Sequence, residues 1–268
     1  MSRAVFLRSL DECFSNRLIV ALLAVMLIFP LSLAVSVETL GLDELAIWFT
    51  LILGAGAIGR DLTSGALALA LTRPLLRRDY VLAKWAAIVA AAGLVTLLQL
   101  GLEAGIMAWY YPRAFDLLSN QPLHAAFTRL SLCAGVGAVL VLLSTLVSGQ
   151  GNVILFGLCF AAAQVLQGQG ASLKLPWVSR VGQELAGALL PRLNAIDVFR
   201  SSPPSWYAIL TWLSTVCLAL CGAVLVLNHR DPYIRIFSGR TPTSMLSDAL
   251  AAAAGMRTTA SSASRTAT

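Results

Sequence analysis

Long apolar segments decide what this chain can fold into. A helix needs about 20 mostly apolar residues to cross the roughly 30 Å hydrocarbon core of a bilayer. Six segments meet or approach this length, so the sequence predicts an all-α polytopic membrane protein with about six transmembrane helices. They lie at residues 18–37, 45–59, 80–111, 130–147, 153–167 and 207–227, and the second and fifth are short.

Composition excludes a soluble domain. Of the 268 residues, 58% are hydrophobic and 12% are charged, whereas soluble domains average about 45–50% apolar and about 25% charged residues. The net charge of +6 does not indicate a nucleic-acid partner, because the Lys and Arg residues lie between apolar segments. Basic residues in such positions set the orientation of membrane helices, and the lipid bilayer is the expected environment.

The basic residues predict on which side of the membrane each loop lies. They cluster before the first span, between the second and third, and after the sixth, whereas residues 38–44 contain none. Because cytoplasmic loops carry the excess of Lys and Arg, we expect a multi-pass protein of the bacterial inner (plasma) membrane with both termini in the cytoplasm. The loop at 168–206 is then external, with a helix expected over 185–200, and the sequence leaves open whether this loop re-enters the membrane.

Both ends of the chain are expected to lie outside the six-helix transmembrane domain of residues 18–228. Residues 1–17 are predicted to form a cytoplasmic interfacial helix, because four apolar residues share one helical face: Phe6, Leu10, Cys13 and Phe14. A simple cytoplasmic extension of the first span is the alternative. Residues 229–268 become rich in Ser, Thr and Ala, which predicts a mostly disordered cytoplasmic tail.

Motifs for catalysis and cofactor binding are missing from the sequence. There is no GxxxxGK[ST] phosphate loop, so the chain is not expected to bind ATP itself. The two histidines, His124 and His229, are far apart in the sequence and fall on opposite sides of the predicted membrane, which argues against a histidine-based metal site or a Ser–His pair. We therefore predict no catalytic residue, no metal site and no cofactor in this chain, and no enzyme activity.

The most unusual segment is the cytoplasmic loop at residues 60–79 and the first residues of the third span. It reads RDLTSGALALALTRPLLRRDYVLAK over residues 60–84. Pro74 argues against one straight helix through the whole stretch, so a short amphipathic helix followed by a basic cluster is expected. Such an element can dock a soluble partner and transmit its motion to the two spans that it joins. Alternatively, the arginines only fix the topology.

This order of residues resembles the permease subunits of ABC-2 type transporters. In that family an acidic residue, a Ser/Thr-Gly pair, an Arg-Pro pair, a basic pair and a Tyr-x-Leu-x-Lys element mark the coupling helix, which contacts the ATPase. Asp61 stands where the family more often has Glu. The segment LLPRLNAID at residues 189–197 is similar to an external segment of one bacterial branch. The resemblance implies that the ATPase-coupling residues are Arg60, Asp61, Arg73, Pro74, Arg77 and Arg78.

The same resemblance implies partners and a function. The chain would be the membrane-spanning permease subunit of an exporter, paired with a second copy or a homologous permease. A separate cytoplasmic ABC ATPase subunit would bind ATP and Mg. The alternatives are a non-transporting membrane scaffold or assembly factor and, with less support, a membrane enzyme that acts on lipids. The sequence does not indicate the transported substrate.

Polar and aromatic residues within the spans are the candidates for a translocation route. Ionisable groups inside a membrane usually face the bundle interior or a cavity, and Gln99 and Glu103 share one face of the third span. Glu103 is alternatively the partner of Arg113 or Arg129. The family resemblance implies that the second and fifth helices line the route, and their short lengths point the same way. The six candidates are Trp48, Phe49, Gln99, Glu103, Gln164 and Gln167.

Overall fold

The computed structural model describes residues 3–15, 17–34, 43–63, 76–110, 121–147, 151–172, 175–191, 193, 198 and 206–229. Regular structure in these ranges is helical throughout, which confirms the predicted all-α class. The helices are α1 (Arg3–Ser15), α2 (Arg17–Ala34), α3 (Asp43–Gly54), α4 (Gly59–Thr63), α5 (Arg77–Tyr110), α6 (Gln121–Leu146), α7 (Gly151–Ser172), α8 (Pro176–Leu189) and α9 (Trp206–His229).

The chain divides into two units, Met1–Val226 and Leu227–Thr268. Helices α1 to α8 and most of α9 belong to the first unit. Of the second unit, the structure describes the last three residues of α9. The predicted disordered tail at 230–268 lies outside the described residues.

Four helices are long and apolar enough to cross a membrane: Arg77–Ile106, Leu123–Leu146, Gly151–Gly170 and Trp206–His229. They correspond to the third, fourth, fifth and sixth predicted spans, so the chain has the architecture of a membrane protein. Helix α2 coincides with most of the first predicted span, but residues 35–37 lie outside the described residues. Six spans therefore remain a prediction.

The second and fifth segments differ from their predicted form. Helix α3 has 12 residues, about 18 Å at 1.5 Å per residue, and it ends at Gly54, so one continuous helix over 45–59 is wrong. Helix α7 has 22 residues, so the prediction of a short fifth segment is also wrong. Small and polar residues at its C-terminal end hide its length in the sequence, because they lower the apolar signal without ending the helix.

The loop predicted over residues 168–206 is also more ordered at its start than expected. Its first residues, to Ser172, continue α7, and a helix then begins at Pro176 and ends at Leu189. Proline at the first helical position fits this start, because its missing N–H has no intrahelical partner to lose. The helix expected over 185–200 therefore begins too late, and most of residues 192–205 lie outside the described residues.

Helices α3, α5 and α6 form the core of the first unit, and α1 packs against α5. Small residues let these helices approach closely, because Ala87, Ala91 and Ala92 of α5 are fully buried. Such residues are typical of helix interfaces in membranes, where packing replaces the hydrophobic effect. In α6, 72% of the apolar window is buried, against 17% in α7 and in α9. Helix α6 is therefore central, and α7 and α9 present most of their surface outward.

Helix α8 packs antiparallel along the last turns of α7 through two glycines. A Cβ atom at Gly182 would lie 2.6 Å from the backbone nitrogen of Gln167 and 2.8 Å from the carbonyl oxygen of Ala163. One at Gly170 would lie 2.3 Å from the backbone nitrogen of Ser179. All three distances are too short for a side chain, so the two glycines set the separation of these helices.

We expect Gly182→Ala to destabilise the protein and Gly168→Ala, in the neighbouring helix α7, to leave stability unchanged or raise it. The added methyl group at position 182 must push backbone aside, which typically costs about 1–3 kcal/mol. At Gly168 nothing lies within 4 Å of a Cβ, and alanine is favoured over glycine in a helix by about 1 kcal/mol. Unfolding of both variants in detergent micelles, followed by circular dichroism, measures the difference. Equal stability would mean that α8 does not pack on α7 through Gly182.

Candidate functional site

Four side chains from three helices form a charged junction at one end of the bundle: Glu12 of α1, Asp61 of α4, and Tyr80 and Lys84 of α5. The Lys84 ammonium lies 2.9 Å from a carboxylate oxygen of Glu12 and 2.9 Å from one of Asp61. The Tyr80 hydroxyl donates a hydrogen bond to Asp61. Lys84 is 5% exposed, so its charge depends on these two carboxylates rather than on water.

Charge pairing favours the ionised form of Glu12. Burial alone would raise the pKa of Glu12 above its ordinary 4.5, but Lys84 and Arg8 together outweigh burial and lower the pKa. The Arg8 guanidinium lies 3.0 Å from Glu12. Because the pKa is lowered in the folded state, Glu12 stabilises the fold above its ordinary pKa, and this contribution is lost as the pH falls through the lowered value.

A cavity of about 40 Å³ lies beside the junction. Its lining includes Ser9, Arg60 and residues 55–57, together with Glu12 and Lys84. The Ser9 hydroxyl is buried and makes no hydrogen bond within the part of the chain that the structure describes. A water molecule needs about 10–15 Å³ of such space, so the cavity has room for water beside this hydroxyl.

Four of the six predicted coupling residues lie in the described ranges. Asp61 belongs to the junction, and the Arg60 guanidinium donates to the carbonyl oxygen of Ala55 at 2.7 Å. At the start of α5, one arginine is half-buried and the next is exposed: Arg77 and Arg78. The predicted coupling helix falls on residues outside the described ranges, with Arg73 and Pro74.

A break between α3 and α4 lies next to the junction, and a residue far along the chain holds it. Gly56 has a φ of 69°, a left-handed conformation that glycine adopts without strain. The side chain of Asn152, in the first turn of α7, accepts a hydrogen bond from the Gly56 amide at 2.9 Å and donates one to the Gly54 carbonyl at 3.0 Å. Asn152 is fully buried, so it replaces the backbone partners that the helix break removes.

A second polar cluster joins α5 to α6. Arg129 lies 3.0 Å from one carboxylate oxygen of Glu103, and Gln99 donates to the other oxygen at 2.8 Å. Arg129 is 5% exposed and Gln99 is 1% exposed. The sequence suggested Glu103 either as a residue of the translocation route or as a partner of Arg113 or Arg129, and in the structure it pairs with Arg129. Arg113 lies outside the described residues.

The other route candidates do not converge with this cluster. Phe49 is fully buried in the core, whereas its neighbour Trp48 is 51% exposed. On α7, Gln164 is exposed and Gln167 lies half-buried beside α8. The structure therefore places the six candidates at five separate positions. It brings together Gln99 and Glu103 alone among them.

Sequence reasoning missed Glu12, Tyr80 and Lys84 as partners of Asp61, and Asn152 as the partner of the helix break.

Among the described residues, no group of three or more His, Cys, Asp or Glu side chains is placed to hold a metal ion. No protein-family model, curated protein or solved structure matches this chain.

Proposed function

We propose that the chain is the membrane-spanning permease subunit of an ABC transporter, an exporter driven by a separate cytoplasmic ATPase. Asp61 carries the proposal. This carboxylate stands at the start of the segment expected to dock the ATPase, and Lys84 and Tyr80 tie it to α5. A motion of the docking segment is then transmitted to a membrane-crossing helix through the charged junction.

Several helices are joined at and beside the junction, which supports the proposal that this end of the bundle faces the cytoplasm. The junction joins α1, α4 and the first turns of α5, and the Asn152 side chain joins the adjacent helix break to the start of α7. A force on the segment after α4 would thus reach α1, α5 and α7 together. Alternating access needs this kind of concerted movement of several helices around a central route.

The buried pair of Glu103 and Arg129 has a structural role in this proposal. The two charges satisfy each other inside the bundle, and intramembrane charges commonly pair in this way. The route then runs where this chain meets a second permease. The bacterial inner membrane and cytoplasmic termini belong to the same proposal.

The test is purification of the tagged chain in mild detergent, with and without the double change Arg77→Glu and Arg78→Glu. We expect a soluble ATPase to co-purify with the native chain and to be lost from the double variant, because two positive charges in the docking segment become negative. Charge reversal at exposed Asp11 of α1 (Asp11→Arg) is the control. If no ATPase accompanies the intact native chain, the permease proposal fails and the scaffold alternative takes its place.

A further inference from the structure

Helix α8 runs from one edge of the bundle to its middle. Its first turns lie beside Gly170, the last residue of the apolar span of α7. Beyond its C-terminal end, the carbonyl oxygen of Pro191 would lie 2.3 Å from a Cβ at Gly135 of α6. Gly135 is 12 residues after the start and 11 before the end of the span Leu123–Leu146. Pro191 therefore lies at about half the depth of that span.

This geometry places a charged residue of α8 inside the apolar layer. Glu184 precedes Pro191 by seven residues, which is roughly 10 Å at 1.5 Å per residue, whereas half of the hydrocarbon core is about 15 Å thick. Arg180 lies one turn nearer the edge. Both side chains are exposed. Neither forms an ion pair with the other or with any residue in the described part of the chain.

The two charges belong to one exposed stripe of α8, opposite the face that packs on α7. The stripe follows the helical spacing of three and four residues. Its outer end carries Trp177, which is 67% exposed, and its inner end carries two small residues. Nothing lies within 4 Å of a Cβ at Gly187. The members of the stripe are Trp177, Arg180, Val181, Glu184, Gly187 and Ala188.

We infer that this stripe contacts the same stripe of a second copy of the chain, with Arg180 of each copy paired with Glu184 of the other. The inference rests on the proposed function, which calls for two permeases around one route. A carboxylate facing lipid at this depth is unfavourable, so Glu184 needs a polar partner. A two-fold axis brings identical surfaces together, and a stripe that carries both signs of charge is complementary to itself.

The small residues and the spacing of the charges fit this arrangement. Gly187 and Ala188 allow two helix backbones to approach closely at the inner end of the stripe. An axis along the membrane normal makes the two α8 helices run in the same direction, so Arg180 and the opposing Glu184 differ by one turn, about 6 Å along the axis. An extended arginine side chain spans that distance and can bind the carboxylate with two hydrogen bonds.

Charge reversal tests the pairing. Full-length chain is expressed with two different affinity tags, and one tag is used to capture the other in mild detergent. We expect Arg180→Glu and Glu184→Arg each to reduce capture at least tenfold, because each variant places like charges opposite one another. Combining both changes restores the opposite charges, so the double variant is expected to recover capture to within threefold of the native chain. Asp11→Arg is the control for a charge reversal outside the stripe.

A second measurement keeps the test decisive if a variant folds poorly. Ala188→Cys, introduced after the five native cysteines are replaced by serine or alanine, is expected to form a disulfide between copies in the membrane, whereas Gln183→Cys, off the stripe, is not. The inference is overturned if the native chain does not capture itself, or if capture is unchanged in both single variants. It is also overturned if both single variants lose capture, the double variant does not recover it, and Ala188→Cys forms no disulfide. Retention of an ATPase by a chain that does not dimerise would overturn this inference alone. A dimer without any ATPase would overturn the proposed function alone.

Discussion

Lys84→Met is expected to destabilise the fold by about 3–5 kcal/mol, the usual effect of removing one partner from a buried ion pair. Methionine keeps the length and apolar contacts of the lysine stem, so the change isolates the charge. It leaves the half-buried carboxylate of Asp61 without its cation, and it removes the contact that joins Glu12 of α1 to α5. Unfolding of the purified variant in mixed micelles, followed by circular dichroism, gives the free energy.

Arg78→Met is the matched control, because it removes a positive charge from the same helix at an exposed position. Exposed charges contribute about 0–1 kcal/mol, so this variant should stay within that range of the native chain. A Lys84→Met variant as stable as Arg78→Met would show that the junction is solvated. It would also remove the link between Asp61 and α5 on which the proposed coupling depends.

A second comparison separates the loss of attraction from the burial of an unpaired charge. In a chain that already carries Lys84→Met, we expect Asp61→Asn to recover part of the lost stability, because the remaining side chain is neutral. In the native chain the same change should be destabilising, since it removes a partner of Lys84. This reversal of sign is the signature of an interaction between the two residues in a double-mutant cycle.

The apolar pattern of the sequence was sufficient to predict the membrane class and four of the helices. It failed where helix ends are decided by neighbours. Helix α7 continues through Gln167 and Gly170 because α8 packs against those turns. Helix α3 ends at Gly54 and is followed by Gly56, and both glycines are visible in the sequence. Their hydrogen-bond partner, Asn152, is almost a hundred residues away and could not be predicted.

In the candidate site, too, some residues could be predicted from the sequence, and some of their partners in other helices could not. The sequence indicated Arg60 and Asp61 as candidates, because they begin the unusual segment after the second span. It also suggested Arg129 as one possible partner of Glu103. The partners of Asp61 could not be predicted, because Lys84 follows it by 23 residues and Glu12 belongs to another helix. Local spacing reports which residues share a helix face, and it does not report which helices pack together.

Asn152→Leu is expected to have the second large effect, a loss of about 2–6 kcal/mol. Leucine has a similar size but no hydrogen-bonding group, so the amide of Gly56 and the carbonyl of Gly54 lose the partners that they have in the native chain. Each buried backbone group left without a partner costs about 1–3 kcal/mol. The break between α3 and α4 cannot recover these bonds by becoming a continuous helix without displacing Asp61 from the junction.

The measurement combines unfolding in micelles with hydrogen–deuterium exchange of the peptide that contains residues 54–63. We expect faster exchange at the Gly56 amide in Asn152→Leu, since the bond that protects it is gone. Thr145→Val is the control for a buried polar side chain. The Thr145 hydroxyl donates to the carbonyl of Leu142 in its own helix, so removing this hydroxyl breaks no bond between helices. Unchanged exchange at Gly56 together with native stability would mean that Asn152 does not hold the break. The motion of α4 would then have no direct connection to α7, and the proposed coupling would have to run through α5 and α1 alone.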